Sequence, residues 1–92
     1  MNWALATTAT FVRRARKFLT RHPDLRERFA NALAHLEQDP FQPSLRLHAL
    51  TGKLSGLYAV SLTWGYRITL TLQITEREIL LLDIGSHDDV YR

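Results

Sequence analysis

The stretch Tyr66-Arg67-Ile68-Thr69-Leu70-Thr71-Leu72-Gln73-Ile74 alternates without a break. Successive side chains of an extended chain point to opposite sides. Tyr66, Ile68, Leu70, Leu72 and Ile74 therefore share one face, and Arg67, Thr69, Thr71 and Gln73 the other. A strand with one apolar and one polar face belongs to an antiparallel sheet that buries a single side. Upstream, Trp64-Gly65 supplies a turn, and residues 57–63 repeat the pattern. There Tyr58, Val60 and Leu62 face one way, and Ala59, Ser61 and Thr63 the other. Downstream, Thr75-Glu76-Arg77-Glu78 reads as a hairpin loop, and Ile79 to Ile84 is apolar on both faces apart from Asp83. That is the pattern of a strand deep in a sheet.

Working back to the start, Trp3 to Thr8 reads as a short first strand, and Thr8 or Thr10 could cap a helix. Phe11, Ala15, Phe18 and Leu19 recur at helical spacing, with basic residues around them. His22-Pro23-Asp24 breaks that helix, and Asp24 can cap the next, in which Leu25, Phe29, Ala32, Leu33 and Leu36 make the apolar face. Asp39-Pro40 ends it. Phe41 to Gly56 is a loop punctuated by Pro43, Gly52 and Gly56. The predicted fold class is α+β: an N-terminal helical hairpin packed on the apolar face of a twisted antiparallel sheet of about four strands. The opposite face, built from small Ser and Thr residues with Arg67 as its one large cation, is where a substrate could lie.

Ninety-two residues are expected to make one domain, residues 1–92. An apolar content of 46% with 23% charged residues suits a folded chain rather than a disordered one. With no cysteine, disulfides and thiolate metal sites are excluded. The first residues show no basic segment followed by an apolar run, and no stretch approaches the length needed to span a bilayer. A cytoplasmic protein without a membrane partner is expected. The net charge of +3 is unevenly placed: Arg13, Arg14, Arg16, Lys17, Arg21, Arg26 and Arg28 crowd together. Such a patch attracts polyanions, whether nucleic acid or an acidic protein segment.

Three places carry groups suited to phosphate chemistry. Arg67 stands on the polar face, where a guanidinium can grip a phosphate bidentately and stabilise charge developing on it. His48 opens the loop segment His48-Ala49-Leu50-Thr51-Gly52-Lys53-Leu54-Ser55-Gly56-Leu57-Tyr58. A histidine passes protons near neutrality, and the two glycines permit a tight path around Lys53. No strand–glycine–helix context surrounds them, so this is neither a Walker loop nor a dinucleotide fingerprint. The third place is Ile84-Gly85-Ser86-His87-Asp88-Asp89-Val90-Tyr91-Arg92. His87 and Tyr91, four residues apart, fall on one side of an extended segment and nearly so of a helical turn. His48, His87 and Asp88 match no standard zinc spacing. His22 and His35 read as surface residues of the hairpin.

These residues give the chain its resemblance to a known family. His48-x-Leu50-x-Gly52-x-Leu54-x-Gly56-x-Tyr58, Tyr66-Arg67-Ile68 and residues 84–91, in this order behind a basic helical hairpin, resemble the RelE/ParE superfamily of bacterial toxins, and particularly its RelE/StbE-type mRNA interferases. The resemblance spans nearly the whole chain. It implies a type II toxin that cuts mRNA on the ribosome by attack of a 2′-hydroxyl on the adjacent phosphate, with no metal or small-molecule cofactor. It also implies a cognate antitoxin as partner, alongside ribosome and mRNA. Carried over position by position, Arg67 would hold the scissile phosphate, His87 would be the general acid, Tyr91 would stack on or orient a base, and His48 would be the general base. Lys53, Arg13 and Lys17 are the RNA-binding candidates. The histidines place the chain nearer the YoeB- and YafQ-like members than those with paired lysines. YafQ-like members also carry His and Asp in the strand where this chain has Ser61 and Thr63. A ParE-like toxin that blocks DNA gyrase, and a degenerate antitoxin-binding module, share the implied fold.

Overall fold

A computed structural model of the chain describes residues 2–86. The elements are β1 (Ala4–Thr7), α1 (Ala9–Arg21), α2 (Arg26–Gln38), β2 (His48–Ala49), β3 (Tyr58–Ser61), β4 (Tyr66–Gln73) and β5 (Glu78–Ser86). The strands form a single sheet in the order β1-β5-β4-β3-β2. From β5 to β2 every pairing is antiparallel, whereas β1 runs parallel to β5. The architecture is the expected α+β one, with one change and one addition to the predicted sheet. The first strand is the parallel one, and a fifth strand, β2, arises inside the segment predicted to be loop. Two residues of β2 are too few to leave an alternating signature.

The helices close over one face of this sheet. Phe11, Ala15 and Phe18 of α1 and Ala32 and Leu36 of α2 pack with Val60, Leu62, Ile68, Leu70, Ile79, Leu81 and Ile84. Each large apolar side chain so buried contributes about 1.5–3 kcal/mol relative to exposure. Thr8 caps α1: its backbone is extended, and its hydroxyl accepts from the Phe11 N–H at 3.0 Å. The same hydroxyl donates to the Leu81 carbonyl at 3.2 Å, so one residue starts the helix and ties it to β5. Asp24 does not cap α2. A 3₁₀ turn, Pro23–Leu25, intervenes, and α2 begins at Arg26 without a side-chain cap. Proline's fixed φ suits that first turn, which carries the chain round the corner.

A bulge in β5 decides which residues face each other at the far end of the sheet. Leu70 lies opposite Leu81, but Thr69 lies opposite Asp83, so Leu82 is the extra residue. Ile79, Leu81 and Ile84 can then all be buried, although strict alternation would put Ile84 on the other side. This is part of why the sequence looked apolar on both faces. Beyond the bulge, Gly85 rather than Ile84 is the partner of Arg67. At the other end, β4 stops at Gln73, and Ile74 stands 62% exposed in the turn instead of joining the buried face.

Candidate active site

Cross-strand partners share a face of the sheet, as do residues two apart on one strand. His48 pairs with Ala59, Ala59 with Thr69, and Ser61 with Arg67. His48, Ser61 and Arg67 therefore stand on the face away from the helices, with Ala59 and Thr69 between them. Two strand spacings and a two-residue offset put the Cα atoms of His48 and Arg67 roughly 12 Å apart. The middle of this face is closed rather than open, with Ala59 fully buried and Thr69 at 3% exposure. The Thr69 hydroxyl has no hydrogen-bond partner among the described residues. A substrate on this side has access at the margins, at the His48 edge and at the Arg67 end.

His48 sits on β2, not in a loop, and its position is fixed by its neighbour. Its Nδ1 is 2.9 Å from the carbonyl oxygen of Arg46. A carbonyl only accepts, so Nδ1 carries the proton, and a neutral ring then holds its lone pair at Nε2. Arg46 ends a 3₁₀ turn, Pro43–Leu45, with a left-handed backbone at φ 52. That conformation turns the chain from the 3₁₀ turn into β2. Lys53 lies on a second 3₁₀ turn, Gly52–Leu54, entered by Gly52 at φ 67 and followed by Gly56 at φ 95. Lys53 is exposed and does not line the cleft that holds Arg67.

That cleft, of about 290 Å³, is lined by Ser44, Arg46, Ser61, Leu62, Trp64 and Arg67. It gathers two arginines, two hydroxyls and a tryptophan that is 94% exposed. Neither Arg46 nor Trp64 was legible as a site residue. Arg46 reaches the cleft through a positive φ that no sequence pattern announces. Trp64 did leave a signal, because a large aromatic flanked by Thr63 and Gly65 in a turn has no core face to join.

A second concavity, of about 460 Å³, lies between α1 and the end of β5. Arg13, Arg14, Lys17, Phe18, Arg21, His22, Ile84 and Gly85 line it. The spacing of Arg13, Lys17 and Arg21 puts them on one helical stripe. Arg13 and Lys17 thus fall together, in the company of Arg14 and Arg21. Arg14 is held by Asp83, Nε to Oδ1, at 2.7 Å. His22 is not simply a surface residue: its ring packs on Phe18 at 4.7 Å and on Tyr66 at 4.9 Å between centroids, at the end of this groove. Gly85 belongs to both places, since it lines the groove and pairs with Arg67.

No family model matches the sequence, and no curated protein matches it. Solved structures do. YafQ from E. coli superposes with a TM-score of 0.81 at 12% identity, over 98% of this chain and 99% of that one. The E. coli DinJ–YafQ toxin–antitoxin complex gives 0.80 at 13% identity over the whole of both chains. A YoeB/ParE toxin from Agrobacterium tumefaciens gives 0.74 at 15% identity, over 91% and 98%. The chain has the fold of E. coli YafQ.

The two remaining candidates, His87 and Tyr91, lie outside the described residues. By sequence His87 follows directly on Ser86, the last residue of β5 and the register partner of Tyr66, and Tyr91 comes after Val90. Among the described residues, no three His, Asp or Glu side chains gather to hold a metal ion. No helix among them is long and apolar enough to cross a membrane.

Proposed function

We propose that this protein is the toxin of a type II toxin–antitoxin pair in the RelE/ParE superfamily, and that it cleaves mRNA on the ribosome. The observation that supports the proposal is the register that sets His48 and Arg67 on one sheet face, in a fold shared with E. coli YafQ. In the proposed reaction His48 Nε2 takes the proton of a 2′-hydroxyl. The 2′-oxygen attacks the adjacent phosphorus, the bond to the 5′-oxygen breaks, and that oxygen leaves with a proton from His87. The products are a 2′,3′-cyclic phosphate and a 5′-hydroxyl. Arg67 holds the phosphate and stabilises the charge that accumulates on its oxygens in the transition state. Dependence on the 2′-hydroxyl restricts the enzyme to RNA. Tyr91 orients a base, and the groove of Arg13, Lys17 and Arg21 attracts the RNA backbone. The antitoxin partner is proposed from the solved complex of E. coli YafQ with DinJ. Cytoplasmic residence follows from a ribosomal substrate.

The test is a translation reaction containing ribosomes, a defined mRNA and the purified protein, with new 5′ ends mapped. Cleavage by the wild type and its loss in the His87→Ala variant are expected. An intact mRNA with the wild type, or undiminished cleavage by the variant, would sink the mechanism. Poisoning of DNA gyrase without RNA cleavage would put a ParE-like activity in its place.

A further inference from the structure

We infer that Trp64 is a nucleobase-stacking platform that sets which base lies beside the cut, and that Arg46 binds the phosphate attached to that base. The inference rests on the reading of the protein as an RNA-cutting toxin and deepens it by naming the substrate-selecting subsite.

Three observations meet at the cleft. Trp64 is 94% exposed, whereas Trp3 is buried at 8%. An aromatic displayed this fully contributes nothing to the core, and its indole face is available to a ligand. The backbone of the turn is held by hydrogen bonds. Leu62 N–H donates to the Tyr66 carbonyl at 2.9 Å, Thr63 N–H to the same oxygen at 3.3 Å, and Gly65 N–H to the Thr63 hydroxyl at 3.2 Å. The turn that presents the ring is thus closed on both sides of it, so its backbone needs no further ordering when a base stacks.

The second observation is the company. Arg46, Arg67, Ser44 and Ser61 line the same cleft, and among the described residues that line it there is no carboxylate. Cations and hydroxyls beside an open indole are what a nucleotide offers partners for: a π face, a phosphate and a sugar. A volume of about 290 Å³ admits one such unit and not a folded peptide. The third observation is the backbone of Arg46. Its left-handed backbone, at φ 52, turns the chain from the 3₁₀ turn into β2 and sets Arg46 on the wall of the cleft beside Ser44. Arg67 ties the cleft to the chemistry, because the residue proposed to hold the scissile phosphate forms one wall of it.

Stacking on an aromatic is sequence-tolerant in kind but graded in strength, so the subsite favours purines over pyrimidines. Two measurements test this. In the first, the protein is titrated with a 2′-O-methyl RNA hexanucleotide, which has no hydroxyl to attack, and tryptophan emission is followed. Quenching in the wild type that is missing in Trp64→Phe assigns the signal to Trp64, and tripolyphosphate should not reproduce it. In the second, ribosome-dependent cleavage is measured. Trp64→Ala should lower kcat/KM by about ten- to a hundredfold and flatten the base preference beside the cut, while Trp64→Tyr keeps it within about threefold of wild type. Wild-type cleavage with an unchanged Trp64→Ala, and no quenching, overturns the platform and leaves the toxin reading standing. Quenching by RNA from a protein that cuts nothing supports the platform and overturns the nuclease. If Trp64→Ala cuts normally but escapes neutralisation by a co-expressed antitoxin, the tryptophan is a protein anchor and the inference fails.

Discussion

The Nδ1 of His48 lies 2.9 Å from the carbonyl oxygen of Arg46, whose own backbone is left-handed. This contact fixes the ring's orientation and, in the neutral form, its tautomer, which is what a general base requires of its surroundings. His48→Gln keeps a polar side chain of similar reach but cannot accept and hold a proton at neutral pH. General-base removal typically costs about 10²–10⁴-fold in rate. The expected result is a fall of that order in the single-turnover rate of mRNA cleavage, with ribosome binding unchanged. A variant that cuts at the wild-type rate would remove His48 from the mechanism.

Arg67 is fixed between Ser61 and Gly85 in the sheet, so its fork approaches a phosphate from a defined direction. Arg67→Lys retains the charge and loses the fork. If the guanidinium acts as a two-pronged clamp on the transition state, cleavage drops by about 10²–10³-fold even though the net charge is the same. Equal activity of the lysine variant would show that only charge matters there. The thermal midpoint is the control that separates a chemical loss from a folding one.

The sheet could be read from the sequence because its central strands alternate, and alternation is a direct consequence of burying one face. The α1 stripe of Phe11, Ala15 and Phe18 was legible for the same reason, at the helical period. What escaped reading was whatever depends on a single backbone conformation. The Leu82 bulge leaves no compositional mark, yet it decides that Gly85 faces Arg67. β2 is stitched to β3 by only two residue pairs, so His48 read as a loop residue. The Asp24 cap was misplaced because a 3₁₀ turn and a capped helix start share the same Pro-Asp signature. Arg67 and His48 could each be picked out by residue type, but their common face follows only from register.

The stripe Arg13, Lys17 and Arg21 lines a groove with Arg14, and Asp83 occupies Arg14. Neutralising Arg13 and Lys17 together should therefore weaken RNA binding without altering the cleavage site. Each phosphate contact to a single strand adds about 0.7 to the slope of log K against log salt concentration. The double variant Arg13→Ala/Lys17→Ala should lower the slope by about 1.4 in a filter-binding titration with single-stranded RNA. An unchanged slope would mean the groove meets something other than a nucleic-acid backbone.

Thr8 performs two jobs with one hydroxyl, capping α1 through the Phe11 N–H and reaching the Leu81 carbonyl on β5. Loss of a hydroxyl cap alone costs about 0.5–2 kcal/mol. Thr8→Ala should sit at the upper end of that range, because the bond across to β5 goes with it. For a domain of this size, each kcal/mol lowers Tm by roughly 4–8 °C. Thr8→Ser keeps both bonds and should melt close to wild type, which separates the hydroxyl's contribution from that of the lost methyl.

Arg77 occupies the last position of the β4–β5 turn with φ 54. Its N–H donates to the Ile74 carbonyl at 3.3 Å, and its own carbonyl accepts from Ala4 at 2.9 Å, so the backbone on both sides is committed. The left-handed conformation costs an L residue about 1–2 kcal/mol. Glycine avoids that cost but gives the unfolded chain more freedom, which returns about 0.4–1 kcal/mol. The difference favours Arg77→Gly by up to about 1.6 kcal/mol, with a midpoint of about 0.8 kcal/mol. A β-branched residue is worse placed at positive φ than arginine, so Arg77→Val should be destabilising. The expected order of melting temperature is Gly above Arg above Val. A valine variant that melts with wild type would mean that the turn relaxes out of the left-handed region. The Ala4–Arg77 bond would then loosen, and hydrogen exchange at the Ala4 amide would report it directly.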